Sequence, residues 1–186
     1  MRNSRADEKL VNAASELLVE VGPHGATVRS IAARAGVNHG LVHHYFGSKE
    51  QLLRAAMISL LEQHQEFVKR EGGGSPIPPP MLLLEQNRYL RAVAQCLLDG
   101  AFDLALLEVT EGLSVPRAAL HHSLSKSGKS LTVEIKSAFC AAMAFEMGWV
   151  LFEPFMFAVT DMSSDEVQNA RQFAARVRQS MAKMAV

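Results

Sequence analysis

Asn38, His39 and Gly40 set an amide, an imidazole and a bare backbone side by side, just before the apolar pair Leu41-Val42. Groups of this kind suit recognition rather than covalent chemistry. The side chains can hydrogen-bond to an edge, and a residue without Cβ lets the backbone approach closely. Residues 26–54 also hold Arg29, Arg34, Lys49 and Arg54 against Glu50 alone, a local formal charge of +3. Such a cluster suits phosphate.

Other chemistry-bearing patterns are sparse. Ser123-x-x-Lys126 has the spacing of a nucleophile and its base, and its Ser and Lys suit an exposed loop equally. The pairs His43-His44 and His121-His122 are adjacent, and neighbouring helical side chains diverge by about 100°, which does not suit one metal ion. Cys96 and Cys140 have no further Cys or His at ligand spacing and are expected as reduced core thiols. No metal and no cofactor are expected.

The chain has 186 residues, 48% of them hydrophobic and 20% charged, with 19 basic and 19 acidic side chains balancing to zero. This composition supports a folded core and argues against disorder. Zero net charge argues against wrapping DNA without base readout. The first nine residues are polar and lack the apolar stretch of a secretory signal, so a cytoplasmic location is expected. Residues 138–160 resemble a membrane span in composition, but Glu146, Glu153 and Pro154 are expected to divide them, leaving no membrane segment.

Apolar residues recur at three- and four-residue intervals with no convincing alternating strand, so the fold is expected to be all-α. Residues 72–80, with three Gly and four Pro, read as a linker. Before it, a first helix capped by Ser4 should bury Leu10, Ala13, Ala14, Leu17, Leu18 and Val21 and stop at Gly22-Pro23. A second runs from Thr27 to Gly36, burying Val28, Ile31, Ala32 and Ala35, with Gly36 as a left-handed cap. Asn38 should cap a third that carries His39 to Tyr45, and Ser48 with Gln51 should open a fourth reaching about Arg70. Two short helices joined at Gly36 form a helix-turn-helix pattern, whose second helix enters the DNA major groove.

The motifs Thr27-x-Arg29-x-Ile31-Ala32, Ala35-Gly36-Val37, Gly40 and Tyr45-Phe46-x-Ser48-Lys49-Glu50 closely resemble the DNA-binding region of the TetR family of repressors. The resemblance implies a helix-turn-helix domain over residues 1–47, a connecting helix over 48–71 and, after the linker, a helical effector-binding and dimerisation domain over 81–186. By position it implies backbone or groove contacts from Thr27 and Arg29, base reading by Asn38, His39, Gly40 and Leu41, and phosphate clamps at Tyr45 and Lys49. Where the family commonly has Tyr, this chain has His43. If His43 substitutes as a donor when protonated, DNA affinity rises as the pH falls.

Beyond the linker, helices are expected over 81–98, with Leu82, Leu83, Leu90, Val93, Ala94, Leu97 and Leu98 inward, and over 102–111, followed by a short one from Pro116 to Lys126. A long helix over 130–152 should bear Leu131, Ile135, Phe139, Ala142, Phe145 and Trp149 on one face and end at Pro154. A last helix, capped by Ser163 and Glu166, should present Val167, Ala170, Phe173, Ala174, Val177, Met181 and Met184. Two such amphipathic helices favour a homodimer, which reads a palindrome in double-stranded DNA. Phe102, Leu106, Phe145, Trp149, Phe152 and Met156 are candidates to line a pocket for a small hydrophobic effector, with Glu108, Glu146 or Glu153 as polar anchor. The function expected is a ligand-responsive transcriptional repressor without enzymatic activity. The alternatives are a small α-helical enzyme with an apolar pocket, or an activator or dual regulator on the same fold.

Overall fold

The computed structural model describes residues 4–73, 75 and 77–184, and among them there are helices and turns but no strand. The expected Ser4 cap and the Met184 side chain lie outside the described residues. The chain divides into two compact units: Met1–Glu66 with Arg88–Ser114, and Phe67–Asn87 with Val115–Val186. The linker at 72–80 therefore falls inside the second unit, and residues 88–114 pack with the N-terminal helices.

In the first unit, α1 (Ser4–Gly25) buries Leu10, Ala13, Ala14, Leu17 and Leu18 at the three- and four-residue spacing of one helical face. Val21, expected on that face, is exposed, because Gly22 at φ 71°, ψ 178° breaks the helix just after it. Next come α2 (Val28–Ala35), α3 (Gly40–Phe46) and α4 (Lys49–Glu71), the last two residues longer at most than the sequence suggests. Buried Ser15 on α1 donates to the Val11 carbonyl (2.9 Å) and to the Ala56 carbonyl of α4 (3.2 Å), so the polar group enters the core satisfied. Ile31, Val42, Leu52, Met57, Leu60 and Leu61 complete a core with Leu10 and Leu18. Each such side chain contributes about 1.5–3 kcal/mol on leaving water.

The expected helix over 81–98 is corrected. Met81 takes φ 65°, Leu82–Leu84 form a 3-10 turn in the second unit, and α5 begins only at Arg88 (Arg88–Leu98). Its inward residues are Tyr89, Leu90, Ala92 and Cys96, whereas Leu97 and Leu98 are exposed, Leu98 at 83%. The segment 102–111 is two single turns, α6 (Phe102–Ala105) and α7 (Leu107–Thr110), because Leu106 leaves helical geometry at φ −94°, ψ 6°.

The second unit holds α8 (Val115–Ser127), α9 (Val133–Val159) and α10 (Ser164–Met184). Ser123 is half-buried and Lys126 exposed on α8. Pro154 does not end α9, and Glu146, Glu153 and Pro154 do not divide it, both corrections of the sequence reading. A proline removes one amide donor and crowds the preceding turn. Here the flanks are held together: Trp149 packs edge-on against Phe157 across the proline (6.2 Å), and its Nε1 donates to Glu153 (3.1 Å). The buried positions of α9 are Ala142, Glu146, Val150 and Glu153, while Leu131 precedes the helix and is exposed. By length and composition α9 could cross a membrane. Its two buried carboxylates, however, meet arginines of α10: Arg178 Nε reaches Glu146 at 2.9 Å, and Arg171 grips Glu153 through Nε (2.9 Å) and Nη2 (2.6 Å). These pairs show that α9 and α10 run in opposite directions. Cys96 is buried, its thiol pushed up to about 11 by desolvation, but Cys140 is exposed and is not a core thiol. Phe173, expected inward on α10, is exposed, and Ala174 is fully buried.

Candidate nucleic-acid interface

Local caps hold the two short helices. Thr27 Oγ1 accepts the Ser30 N–H (3.1 Å) and Ser30 Oγ accepts the Thr27 N–H (2.9 Å), a reciprocal box that fixes the start of α2. Ser30 has no prominence in the sequence, since its reciprocal role belongs more often to Glu or Gln. Gly36, at φ 65°, ψ 36°, ends α2 in the left-handed conformation, and the Val37 N–H closes on the Ala32 carbonyl at 3.0 Å. Ile31 and Val42 then face the core, and Asn38, His39 and Gly40 are left exposed.

Asn38 caps differently from expectation. Its Oδ1 accepts the Gly40 N–H at 2.8 Å across two residues, α3 starts at Gly40, and His39 stands at the helix threshold without a side-chain cap. This engages the amide oxygen with the backbone and leaves the Nδ2 donors as the group that exposed Asn38 can offer to an acceptor. A Cβ on Gly40 would stand 3.2 Å from Asn38 Oδ1, so glycine here accommodates the tight turn. Leu41 is half-buried against the core. His43 is exposed, and its Nδ1 lies 3.0 Å from the Gly47 carbonyl, which selects the tautomer with Nδ1 protonated. His44, also exposed, meets Tyr45 edge-on at 4.9 Å, and half-buried Tyr45 packs towards the core.

The four cations divide into two pairs. Arg34 Nη1 reaches back to Glu20 on α1 (2.7 Å) and Glu16 (3.6 Å), and Arg54 binds Glu111. Arg29 is exposed and Lys49 half-buried at the first turn of α4, and neither has an ion-pair partner among the described residues. Ser48 Oγ accepts the Gln51 N–H at 3.2 Å and caps that turn. Arg29 and Lys49 can thus be offered to phosphate, and the donors of exposed Asn38 and His39 to other acceptors. Thr27, Arg29, Asn38, His39, Gly40, Tyr45 and Lys49 all lie on the capped ends of α2 to α4. The candidate effector residues fall in different units: Phe102 and Leu106 in the first, both exposed, and Phe145, Trp149, Phe152 and Met156 along α9 in the second. Phe145 and Trp149 are in ring contact at 5.8 Å, and Phe152 is exposed.

Residues 10–56 match the model of a family described as bacterial regulatory proteins, tetR family. The HTH-type transcriptional repressor Rv3405c of Mycobacterium tuberculosis (strain ATCC 25618 / H37Rv) is 30% identical over 167 residues, 86% of this chain and 81% of that protein. The HTH-type transcriptional regulator BetI of Stenotrophomonas maltophilia (strain R551-3) is 44% identical over 63 residues, 34% of this chain and 32% of its own length. Among solved structures, a protein from Rhodococcus sp. described as a TetR-family transcriptional regulator shares the fold, with a TM-score of 0.63 at 16% identity over 96% of this chain and 99% of that one. A relative matched along most of both chains, together with the capped helix-turn-helix that the family model covers, establishes that this chain belongs to the TetR family of DNA-binding transcriptional regulators.

Proposed function

We propose that the protein is a ligand-responsive repressor that binds a palindromic operator as a homodimer. The observation that carries the reading is the exposure of Asn38, His39 and Gly40 at the entry to α3, together with exposed Arg29 on α2 and half-buried Lys49 at the first turn of α4. Bases are read by the former and phosphates by the latter. Residues 1–47 read DNA, 48–71 connect, and 81–186 supply the dimer surface and the effector contacts. The exposed apolar residues of α9, Phe152, Phe155 and Val159, recur at helical spacing and favour a covering second chain. A two-fold dimer places two α3 helices in successive major grooves about 34 Å apart. Because α5 packs on α1 within one unit, a ligand-driven shift of residues 88–114 reaches the reading helices directly.

Selection of bound sequences from random duplex DNA tests this, comparing wild type with an Arg29→Ala, Lys49→Ala double variant. Enrichment of a two-fold symmetric site by wild type, lost in the variant, is the expected outcome. Enrichment of an asymmetric site, or of none, overturns the dimeric repressor.

A further inference from the structure

Of the three carboxylates that the sequence offers as effector anchors, two are already neutralised, Glu146 by Arg178 and Glu153 by Arg171. Glu108 differs. Its Oε2 accepts the Tyr89 hydroxyl and its Oε1 the Ser114 hydroxyl, each at 3.1 Å, and among the described residues no cation pairs with it. Both donors are neutral and come from the interior, Tyr89 and Ser114 each being 8% exposed.

The neighbouring group is His64 on α4, also 8% exposed, which stacks on Tyr89 with ring centroids 5.3 Å apart and planes 22° from parallel. Its Nδ1 is buried without a hydrogen-bond partner. Burial holds the imidazole below its ordinary pKa and pushes the Tyr89 phenol up, so the first stays neutral and the second stays a donor. All four residues belong to the first unit. They bring together a carboxylate without a counter-ion, two aromatic rings and an idle acceptor nitrogen.

A buried polar atom left without a partner is costly, and a half-buried charge without its opposite more so. A ligand that relieves both needs a positive charge and N–H donors. An anion would meet the Glu108 charge, and a neutral hydroxyl could engage Nδ1 without compensating that charge. Aromatic rings add attraction for the carbons beside an ammonium. We infer that His64, Tyr89, Glu108 and Ser114 form the polar end of the effector site and that the effector is an organic cation, a protonated amine on an apolar body. This rests on the ligand-responsive reading above; it replaces the hydrophobic effector expected from the sequence with an amphipathic cation and adds His64 of the connecting helix to the effector contacts. Glu108 is the counter-ion, and His64 Nδ1 accepts an N–H. Tyr89 lies on α5, the helix that packs on α1.

The test is calorimetric titration of the full chain with 2-phenylethylammonium and octylammonium, against 2-phenylethanol and octanoate as neutral and anionic counterparts. Each ammonium should bind at least about tenfold more tightly than its counterpart. Glu108→Gln, which keeps the shape and an acceptor, should remove about tenfold of that affinity, and His64→Phe, which keeps the stacking, a smaller part. Equal binding of cation and alcohol, unchanged affinity in Glu108→Gln, or no ammonium binding up to about 10 mM overturns the inference. Should Glu108→Gln fail to fold, the comparison of charges on wild type still decides. DNA selection on the same preparations separates the two readings: symmetric enrichment without amine binding sinks the cation site alone, whereas absent enrichment sinks the repressor.

Discussion

Asp99 holds the end of α1: its Oδ2 accepts the backbone N–H of His24 at 2.9 Å and stands 2.8 Å from where a Cβ on Gly22 would lie. The contact joins the turn after α5 to the segment that leads into α2. Gly22 has a conformation open almost only to glycine, and the space beside it is filled by the carboxylate. Gly22→Ala should therefore cost about 1–3 kcal/mol, and Asp99→Ala, which leaves the His24 amide without its acceptor, about 1 kcal/mol. Urea unfolding of both variants checks the order; a neutral Gly22→Ala would remove the argument.

The split among the cations predicts unequal salt dependence of DNA binding. Arg29→Ala and Lys49→Ala should each flatten the slope of log affinity against log salt by about 0.9. Arg34→Ala and Arg54→Ala, whose side chains are committed to Glu20 and Glu111, should leave the slope nearly unchanged. Equal slopes for all four variants would show that the protein's own carboxylates release their partners to DNA.

Asn38 has two separable duties. Asn38→Asp keeps an oxygen for the Gly40 N–H but has no donor to offer a base, so stability should hold while operator affinity falls at least about tenfold. Asn38→Ala should lose the affinity and also about 1 kcal/mol of stability. Denaturation and operator titration of the two variants distinguish these duties.

Acid stability follows from the two carboxylates facing α10. Arg171 foremost, with Trp149, holds the Glu153 carboxyl below its ordinary value of 4.5, so its contribution is full above that pH and is lost as the pH falls through the folded value. Burial raises Glu146 despite Arg178, so the folded chain takes up that proton first and gains stability as the pH falls towards 4.5. Glu153→Gln should thus lessen the loss below 4.5, and Glu146→Gln should abolish the gain above it. Unfolding curves between about pH 7 and pH 3.5 measure both, and superimposable profiles would contradict the assignment.

What the sequence disclosed was decided locally. Thr27, Gly36, Ser48 and Ser163 act within a few residues of themselves, and the caps they make are visible as patterns. The errors arose where distant partners intervene. Pro154 reads as a stop, yet the Trp149–Phe157 contact and Arg171 carry α9 through it. Leu97 and Leu98 read as core from their apolar type, yet they close α5 beyond the face that buries Tyr89, Ala92 and Cys96, and Leu98 lies nearly opposite that face. Arg34 and Arg54 read as members of one basic cluster with Arg29 and Lys49, because nothing nearby in the chain announces their pairing with Glu20 and Glu111. Of the cluster around Glu108 only the carboxylate itself stands out in the sequence, since His64, Tyr89 and Ser114 share no motif with it.

Glu146 with Arg178 and Glu153 with Arg171 stand seven residues apart on both helices. Sliding α10 by that interval in either direction would reunite one glutamate with an arginine and strand the other arginine and glutamate. One alignment alone satisfies both, as two dowels locate a plate that a single dowel would leave free to shift. Buried Ala142 and Ala174 offer little bulk to resist such a slide. The hairpin is therefore indexed by charge where its shape would permit slippage.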